Sequence, residues 1–536
     1  MKQSWAFEYQ FEPGQGTKLK ADTTCWMTQS EAIKDCSLMD VDAITGIARI
    51  KISDKKLKMI REEEPNWEPP SRTSLMDMTQ IRTGQISDAI LETVQTWKDS
   101  SELQPALADF LERSNPRVLG HAGGPLIRAG EDLLPGTLRV ISNLNNSCLC
   151  IQGPPGSGKT FTAAKVILSL LQQGRTVAVS ANSHAVIFNL LARVQGYSEE
   201  TNARFGIAQI PSSTEKAKAK AGVAFKKKIT EALPPEFQLV GATVFQLCRP
   251  EAVDQFDYLF IDEAGQVSLA NLVALARCAS NLVLIGDPMQ LEQPIQGSHP
   301  GESGESALGY LLNGKATVPE DLGIFLGVTY RMEPAIARYI SEGIYEGRLR
   351  HHPDTQHHRL ALEPVIGPSG WVLTRSSGIA VVPVAHQGNG QASDEEVEVI
   401  AEMVEQLLGV GYASDRGDRT GSLSLDDILI VTPYNLQAGQ LRAQLGEDAR
   451  IGTVDKFQGQ EAPIVIISMA ASTTEDAPRG IEFLLNRNRL NVAVSRAQCL
   501  AIVVASPALA TASCTTLEQI TQVNLFCKLV DLSSAD

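Results

Sequence analysis

One octapeptide constrains this chain more than any other feature. Gly153-Pro154-Pro155-Gly156-Ser157-Gly158-Lys159-Thr160 meets every fixed position of the pattern GxxxxGK[ST]. It follows a short apolar run, Cys148-Leu149-Cys150-Ile151, and precedes a helical stretch from Thr160 to Gln173. Glycines let the backbone wrap an anion with N–H groups turned inward, and a helix N-terminus adds the positive end of its dipole. In that setting Lys159 reaches the β- and γ-phosphates of a nucleotide and the Thr160 hydroxyl ligates Mg2+. The other reading, a plain Gly/Pro turn before an ordinary helix, is disfavoured by the strand-to-helix context.

Further on, Phe260-Ile261-Asp262-Glu263-Ala264-Gly265-Gln266 ends an apolar strand in two adjacent carboxylates. Such a pair is costly at a strand end unless a cation meets it. Asp262 is placed to hold Mg2+ or its water shell, and Glu263 to orient or deprotonate an attacking water. A solvated acidic loop is the alternative. Ile285-Gly286-Asp287-Pro288-Met289-Gln290-Leu291 follows another apolar run. There Gln290 supplies a neutral donor and acceptor near the γ-phosphate, although Gly-Asp-Pro is also ordinary turn material.

Strand and helix patterns alternate from 138 to 312 and again from 325 to 510, where 428–431, 464–467 and 500–504 are apolar runs. Alternation of this kind predicts an α/β fold, with parallel sheets covered by helices on both faces. The Ala- and Lys-rich stretch 212–231 interrupts the first unit. The N-terminal segment alternates as strands do, at Trp5 to Phe11 and at Ile44 to Ile52, which predicts a small antiparallel sheet or barrel. A charged, Pro-rich linker occupies 62–74, and Ile86, Ile90, Val94 and Trp97 fall at helical spacing. The expected units are an accessory β-module at 1–65, a linker and helical stalk at 66–137, a first α/β domain at 138–322 with an insert near 205–238, and a second at 323–536.

Composition narrows the function. With 47 Lys and Arg against 62 Asp and Glu, the net charge is −15. That excludes coating nucleic acid or an anionic membrane with the whole surface, but leaves room for a local basic groove. Hydrophobic content of 43% with 20% charged residues excludes a largely disordered chain. Nine cysteines without a CxxC pair signal neither a zinc ribbon nor an iron–sulfur cluster, so a reducing, cytoplasmic compartment is expected. The longest apolar stretches, such as Ala462 to Ala471, are about half the length of a membrane helix, so no membrane partner is expected.

Further segments follow in order: Thr329-Tyr330-Arg331-Met332-Glu333-Pro334, Tyr345-Glu346-Gly347-Arg348-Leu349, Val431-Thr432-Pro433-Tyr434-Asn435-Leu436-Gln437, Thr453-Val454-Asp455-Lys456-Phe457-Gln458-Gly459-Gln460-Glu461 and Leu490-Asn491-Val492-Ala493-Val494-Ser495-Arg496-Ala497. With the phosphate loop they resemble superfamily 1 helicases of the up-frameshift-like subgroup, over residues 150 to 505. The resemblance implies two tandem RecA-like P-loop NTPase domains preceded by a small β-barrel and a helical stalk. It implies an ATP-dependent, 5′-to-3′ helicase or translocase on single-stranded DNA or RNA, with ATP and Mg2+ as cofactors. A nucleic-acid-stimulated ATPase that acts as a nucleotide-gated clamp without unwinding is the alternative. Arg331 and Arg496 are implied to reach across the cleft to the γ-phosphate, and Glu461 to contact the nucleotide. The wording from Gly286 to Pro300 looks closest to bacterial members fused behind a RecB-like nuclease, which implies DNA repair and a fused or separate nuclease. No nuclease carboxylate–lysine signature is evident in the sequence, and a monomer is expected.

Two departures from the subgroup stand out. The segment Gly136 to Asn146 has no Gln of the kind that reads adenine, so other NTPs are open as substrates. Ser180-Ala181-Asn182-Ser183-His184-Ala185-Val186 lacks the subgroup's proline. For the single strand the resemblance implies Asn182, Ser183, His184 and Thr243 in the first domain, and Pro433, Tyr434 and Thr453 in the second. Tyr434 either stacks a base or packs in the core beside Pro433. Lys216, Lys218, Lys220, Lys226, Lys227 and Lys228 form either a strand entrance or a solvated face. His351, His352, His357 and His358 read as a loop rather than a metal site.

Overall fold

Cys148–Gln152, the strand that enters the phosphate loop, lies inside an eight-stranded sheet in the computed structural model. The structure describes residues 4–12, 17, 19–28, 36–42, 45–78, 83–211, 222–291, 299–414, 419–457 and 459–534. Lys216, Lys218 and Lys220 of the lysine cluster lie outside the described residues, as do Gln458 and residues 292–298. The strand order is Gly323–Phe325, Cys148–Gln152, Ala279–Gly286, Phe256–Ile261, Val177–Ser180, Leu239–Gly241, Ile207–Gln209 and Ala224–Phe225, with parallel pairings throughout.

Successive strand residues enter two different cores, as the two-residue period requires. Leu149, Ile151, Val179, Phe260 and Val283 pack on one face with Ala163, Ile167 and Leu190 of helices Lys159–Gln172 and His184–Glu200. Cys150, Ala178, Leu259 and Leu284 pack on the other with Ile86, Leu107 and Leu272 of helices Gly84–Ser100, Pro105–Leu111 and Leu269–Ala276. Burial on both faces is why these strands read as unbroken apolar runs rather than alternating ones.

A second parallel sheet has the order Gly378–Pro383, Ala497–Ala505, Ala462–Ser468, Ile428–Thr432, Arg450–Thr453. The passage between the two sheets falls later than the expected start at 323. Gly323–Phe325 pairs with Cys148–Gln152, and Ile324 packs into the first domain's core.

The N-terminal strands Ser4–Gln10, Ile47–Ser53, Cys36–Asp42, Thr24–Met27 and Leu75–Asp77 form an antiparallel sheet in that order. Among the described residues Ser4–Gln10 and Leu75–Asp77 are the two ends of the order, so of the expected sheet or barrel this is the sheet, and the barrel that the resemblance implies is not formed by these strands. The run after Asp54 is a helix, Asp54–Glu63, whose Leu57 and Ile60 cover Leu38, Ile50 and Ile52. The stalk helix Gly84–Ser100 buries Ile86 and Ala89 against the first domain but leaves Val94 and Trp97 exposed, so its apolar stripe is longer than its contact. No helix among the described residues is long and apolar enough to cross a membrane.

Candidate active site

Sheet order decides which loops meet. At the C-terminal rim of the first sheet the phosphate loop follows Cys148–Gln152, the Asp287–Gln290 turn follows the next strand, and Asp262-Glu263 the one after. Asn182 to His184 and then Thr243 follow the next two strands. The nucleotide residues therefore occupy one half of the rim and the first-domain strand candidates the other. Ligands of doubly wound sheets bind at this rim.

The loop is tightly built. Gly153 N–H donates to the Gly286 carbonyl at 2.9 Å, and Lys159 Nζ donates to the Gly153 carbonyl at 2.8 Å. A Cβ at Gly153 would lie 2.2 Å from Lys159 Cγ, so only glycine lets the lysine cross the loop here. Gly156 and Gly158 have φ of +71° and +80°. Pro154 and Pro155 are buried and leave the loop's N–H donors to its other residues. Ser157 Oγ is buried with no hydrogen-bond partner among the described residues, and Thr160 is half-buried in the first helical turn.

Asp262 is buried, accepts the Glu263 N–H at 2.9 Å, and has its carboxyl pushed up to about 7. Burial is the main cause and the neighbouring Glu263 adds to it, while Lys159 opposes. The folded pKa lies above the unfolded one, so this group favours the folded state fully below about pH 4, and the contribution is lost as pH rises through about 7. A bound cation would hold the carboxylate ionised. Mg2+-dependent nucleotide binding should therefore release a proton near pH 6 and much less near pH 8.5. Calorimetry in buffers of different ionisation enthalpy reads that number directly.

The second domain closes over the loop. Tyr330 N–H donates to the Gly156 carbonyl at 2.9 Å, and Thr329 Oγ1 to the Pro155 carbonyl at 3.0 Å. A Cβ at Gly156 would sit 2.5 Å from Arg331 Cβ and 2.7 Å from Thr329 Oγ1. Gly156→Ala combines that collision with a left-handed φ and should cost about 1–3 kcal/mol, with weakened nucleotide binding. Unfolding and nucleotide titration of the variant check both.

Arg331 Nε pairs with Glu461 Oε2, and its Nη1 donates to the Ser495 carbonyl at 3.2 Å. Arg496 is 2% exposed. Its Nη1 donates to the Gln460 carbonyl at 3.2 Å, but Nε and Nη2 have no partner among the described residues. Its pKa is pushed down to about 9, first by burial and then by Arg331, with Glu263 and Glu461 opposing. Arg331, Arg496 and Glu263 thus share one electrostatic neighbourhood although they come from different domains. Two guanidiniums, a lysine, an orphaned hydroxyl and a glycine cradle fit a polyphosphate, and the buried Asp262 carboxyl fits a divalent cation.

Gln290 is buried beside this site, and its Nε2 donates to Asp287 Oδ2 at 3.1 Å. Asp287 also accepts Gln152 Nε2 at 3.3 Å, Met289 N–H at 3.1 Å and the Tyr345 hydroxyl. Gln290 is therefore held by Asp287 here and does not point free into the cleft. Sequence reasoning passed over Asp287, Tyr345 and the exposed Tyr330 ring, which packs at a tilt against His352 with ring centres 4.8 Å apart. All three lie in segments already singled out. Glu461 is engaged by Arg331 and by Gln498 Nε2 at 3.1 Å.

The strand candidates fare unevenly. Asn182 Nδ2 donates to the Gln266 carbonyl at 2.6 Å, tying that loop to the Asp262-Glu263 turn. Ser183 caps helix His184–Glu200 through Ala185 N–H, and His184 Nδ1 is shielded without a partner among the described residues. Thr243 precedes helix Val244–Leu247 with its side chain free of the cap. Pro433 and Thr453 come together because Thr432 pairs with Thr453 across adjacent strands. Tyr434 is 5% exposed and packs on Phe483 at 5.7 Å, so the base-stacking reading is corrected: the ring is in the core. No group of His, Cys, Asp and Glu able to hold a metal is found among the described residues, the histidines at 351–358 included.

A phosphate loop, a buried strand-end aspartate and arginines from a second parallel-sheet domain define a tandem P-loop NTPase. Two family profiles match, each described as an AAA domain, over residues 137–302 and 311–508. The Arabidopsis thaliana DNA replication ATP-dependent helicase/nuclease JHS1 is 28% identical over 66% of this chain and 27% of its own length. The Rattus norvegicus DNA-binding protein SMUBP-2 is 26% identical over 65% and 40%. The Drosophila melanogaster regulator of nonsense transcripts 1 homolog is 26% identical over 67% and 33%. The chain spans well under half the length of those relatives. The solved Arterivirus nonstructural protein 10 (helicase) aligns with 95% of this chain and 77% of its own at 13% identity, with a TM-score of 0.40.

Proposed function

We propose that this chain is the motor portion of an ATP-dependent nucleic-acid helicase of the up-frameshift-like subgroup, moving 5′ to 3′ along single-stranded DNA or RNA. The observation that carries the reading is Arg496, buried beside Arg331 with two guanidinium nitrogens unpartnered among the described residues and Glu263 nearby. A charge this costly to bury is explained by an anion that arrives in the cleft.

Lys159 and the inward N–H groups of the loop hold the triphosphate. Thr160 and Asp262 are the residues for Mg2+, which when bound neutralises phosphate charge. Glu263 orients the attacking water. Arg331 leaves Glu461, and with Arg496 it stabilises charge that grows on the transferred group. Because Thr329 and Tyr330 bond to the loop, a change at the phosphates changes the grip between the domains. The Asn182–Gln266 bond links the Asp262-Glu263 turn to the strand candidates. The absence of a Gln from Gly136 to Asn146 leaves the base unread there, so GTP and other NTPs should serve alongside ATP. The printed name of JHS1 joins helicase to nuclease, and a nuclease domain or partner is proposed for this motor.

Hydrolysis is to be measured with single-stranded DNA, with single-stranded RNA and with neither, followed by displacement from duplexes tailed at either end. Stimulated hydrolysis with displacement from 5′-tailed duplexes is expected. Stimulation without displacement selects the clamp. Glu263→Gln should lower turnover by about 10²–10⁴ while nucleotide still binds, and a variant that hydrolyses normally refutes the assigned role.

A further inference from the structure

The guanidinium of Arg479 lies 3.7 Å from the centre of the Phe483 ring and that of Arg489 lies 4.3 Å from it. Both guanidiniums lie over this one ring, each attracted by its electron-rich surface. Tyr434 packs against the same ring. With three groups against it, Phe483 holds two cations in place rather than offering a platform for a base. We propose that Arg479 and Arg489, both packed on Phe483, form a seat for the phosphate backbone of the single strand on the second α/β domain. The inference rests on the nucleic-acid reading above and adds residues that the strand candidates do not include.

Position and charge both support it. Tyr434 follows Pro433, and Arg489 Nη1 meets Asp455 Oδ2 at 3.4 Å, two residues past Thr453. The arginine pair therefore adjoins the paired strand ends that carry Pro433 and Thr453. Arg479 is exposed and makes no ion pair among the described residues, an unusual state on a chain of net charge −15. The nearest carboxylates in sequence are turned elsewhere: Asp476 accepts the Thr473 hydroxyl at 2.7 Å, and Glu482 accepts Gln519 Nε2 at 2.6 Å. Lys456, next to Asp455 in the chain, donates to the Ile451 carbonyl at 3.0 Å; burial, then Arg442, hold its pKa down, with Glu447 opposing. Guanidiniums grip phosphate oxygens through paired N–H donors without reading bases, as sequence-independent travel requires.

The test is fluorescence anisotropy of a short oligonucleotide, DNA in one arm and RNA in the other, titrated with the whole chain across a salt series. For the double variant Arg479→Ser, Arg489→Ser, affinity should fall roughly tenfold at low salt, and the log–log salt slope should shrink by about 0.7 for each arginine removed. Arg479→Lys keeps the charge, so it should keep the slope and lose only part of the affinity. Lys528→Ala removes one charge that pairs with Glu342 at 2.6 Å, away from Phe483, and should change neither. The exposed Arg479→Ser single variant carries the test if the double variant unfolds early. A wild type that binds while the arginine variants, folded by thermal melt, show unaltered affinity and slope overturns the seat alone. A wild type that binds neither strand removes the nucleic-acid reading and the seat with it.

Discussion

Replacing Arg496 with methionine lowers NTP turnover at saturating nucleotide by about 10³-fold or more, yet leaves the nucleotide-free protein at least as stable as the wild type. The two halves of that result share one cause. Arg496 is buried and, among the described residues, donates one hydrogen bond and leaves Nε and Nη2 unmet beside a second arginine. Without an anion the side chain bears desolvation and like-charge repulsion with little return, and an apolar side chain of similar length relieves both. With the transferring phosphoryl group present, the same nitrogens stabilise charge where water cannot. Steady-state turnover and thermal unfolding of one variant test both halves. A loss of activity with a comparable loss of stability would mark Arg496 as a structural residue instead.

The second large effect is on stability. Glu396→Ala should destabilise the second domain by about 3–5 kcal/mol. Glu396 and His386 have fully buried side chains 3.2 Å apart. Glu396 also accepts the Ser468 hydroxyl at 2.6 Å and the Ala470 N–H at 2.9 Å, while His386 Nδ1 meets Ser472 Oγ at 2.7 Å. Gln437 extends the network: its Nε2 donates to Ser468 Oγ at 2.9 Å, and its Oε1 accepts Ser393 N–H at 2.8 Å. Removing the carboxylate strands three donors in a dry interior. Ser472→Ala removes two bonds at the network's edge, that with His386 Nδ1 and that from the Asn389 N–H at 2.9 Å, and should cost about 1–2 kcal/mol. Denaturant unfolding of the two variants checks the ordering. Equal, small losses would mean that water takes the place of the lost partner.

This network also shows where sequence reading stops. The phosphate loop was legible because its chemistry lies in eight consecutive residues, and Asp262-Glu263 because an apolar strand ending in two carboxylates is locally anomalous. The α/β alternation was legible because strands buried on two faces carry unbroken apolar runs. His386, Glu396, Gln437 and Ser468 meet only after four segments fold together, and no spacing announces them. Tyr434 stayed open between base stacking and core packing for a related reason: its fate depends on Phe483, distant in sequence. The N-terminal alternation revealed strands, but closure depends on which strands pair at the ends, and the open order is a tertiary outcome. Gly323–Phe325 is too short to show by pattern which of two sheets it joins.

The claim on which the rest depends is that two domains build one phosphate site. It is tested most directly by binding of ADP with Mg2+, alone and with aluminium fluoride as a mimic of the transferring phosphoryl group, to the wild type, Arg331→Ala and Arg496→Met. Both variants should bind ADP as the wild type does and bind the mimic complex at least about 100-fold more weakly, since only the transition state engages those arginines. Equal affinities for the mimic complex in all three proteins would contradict the shared site.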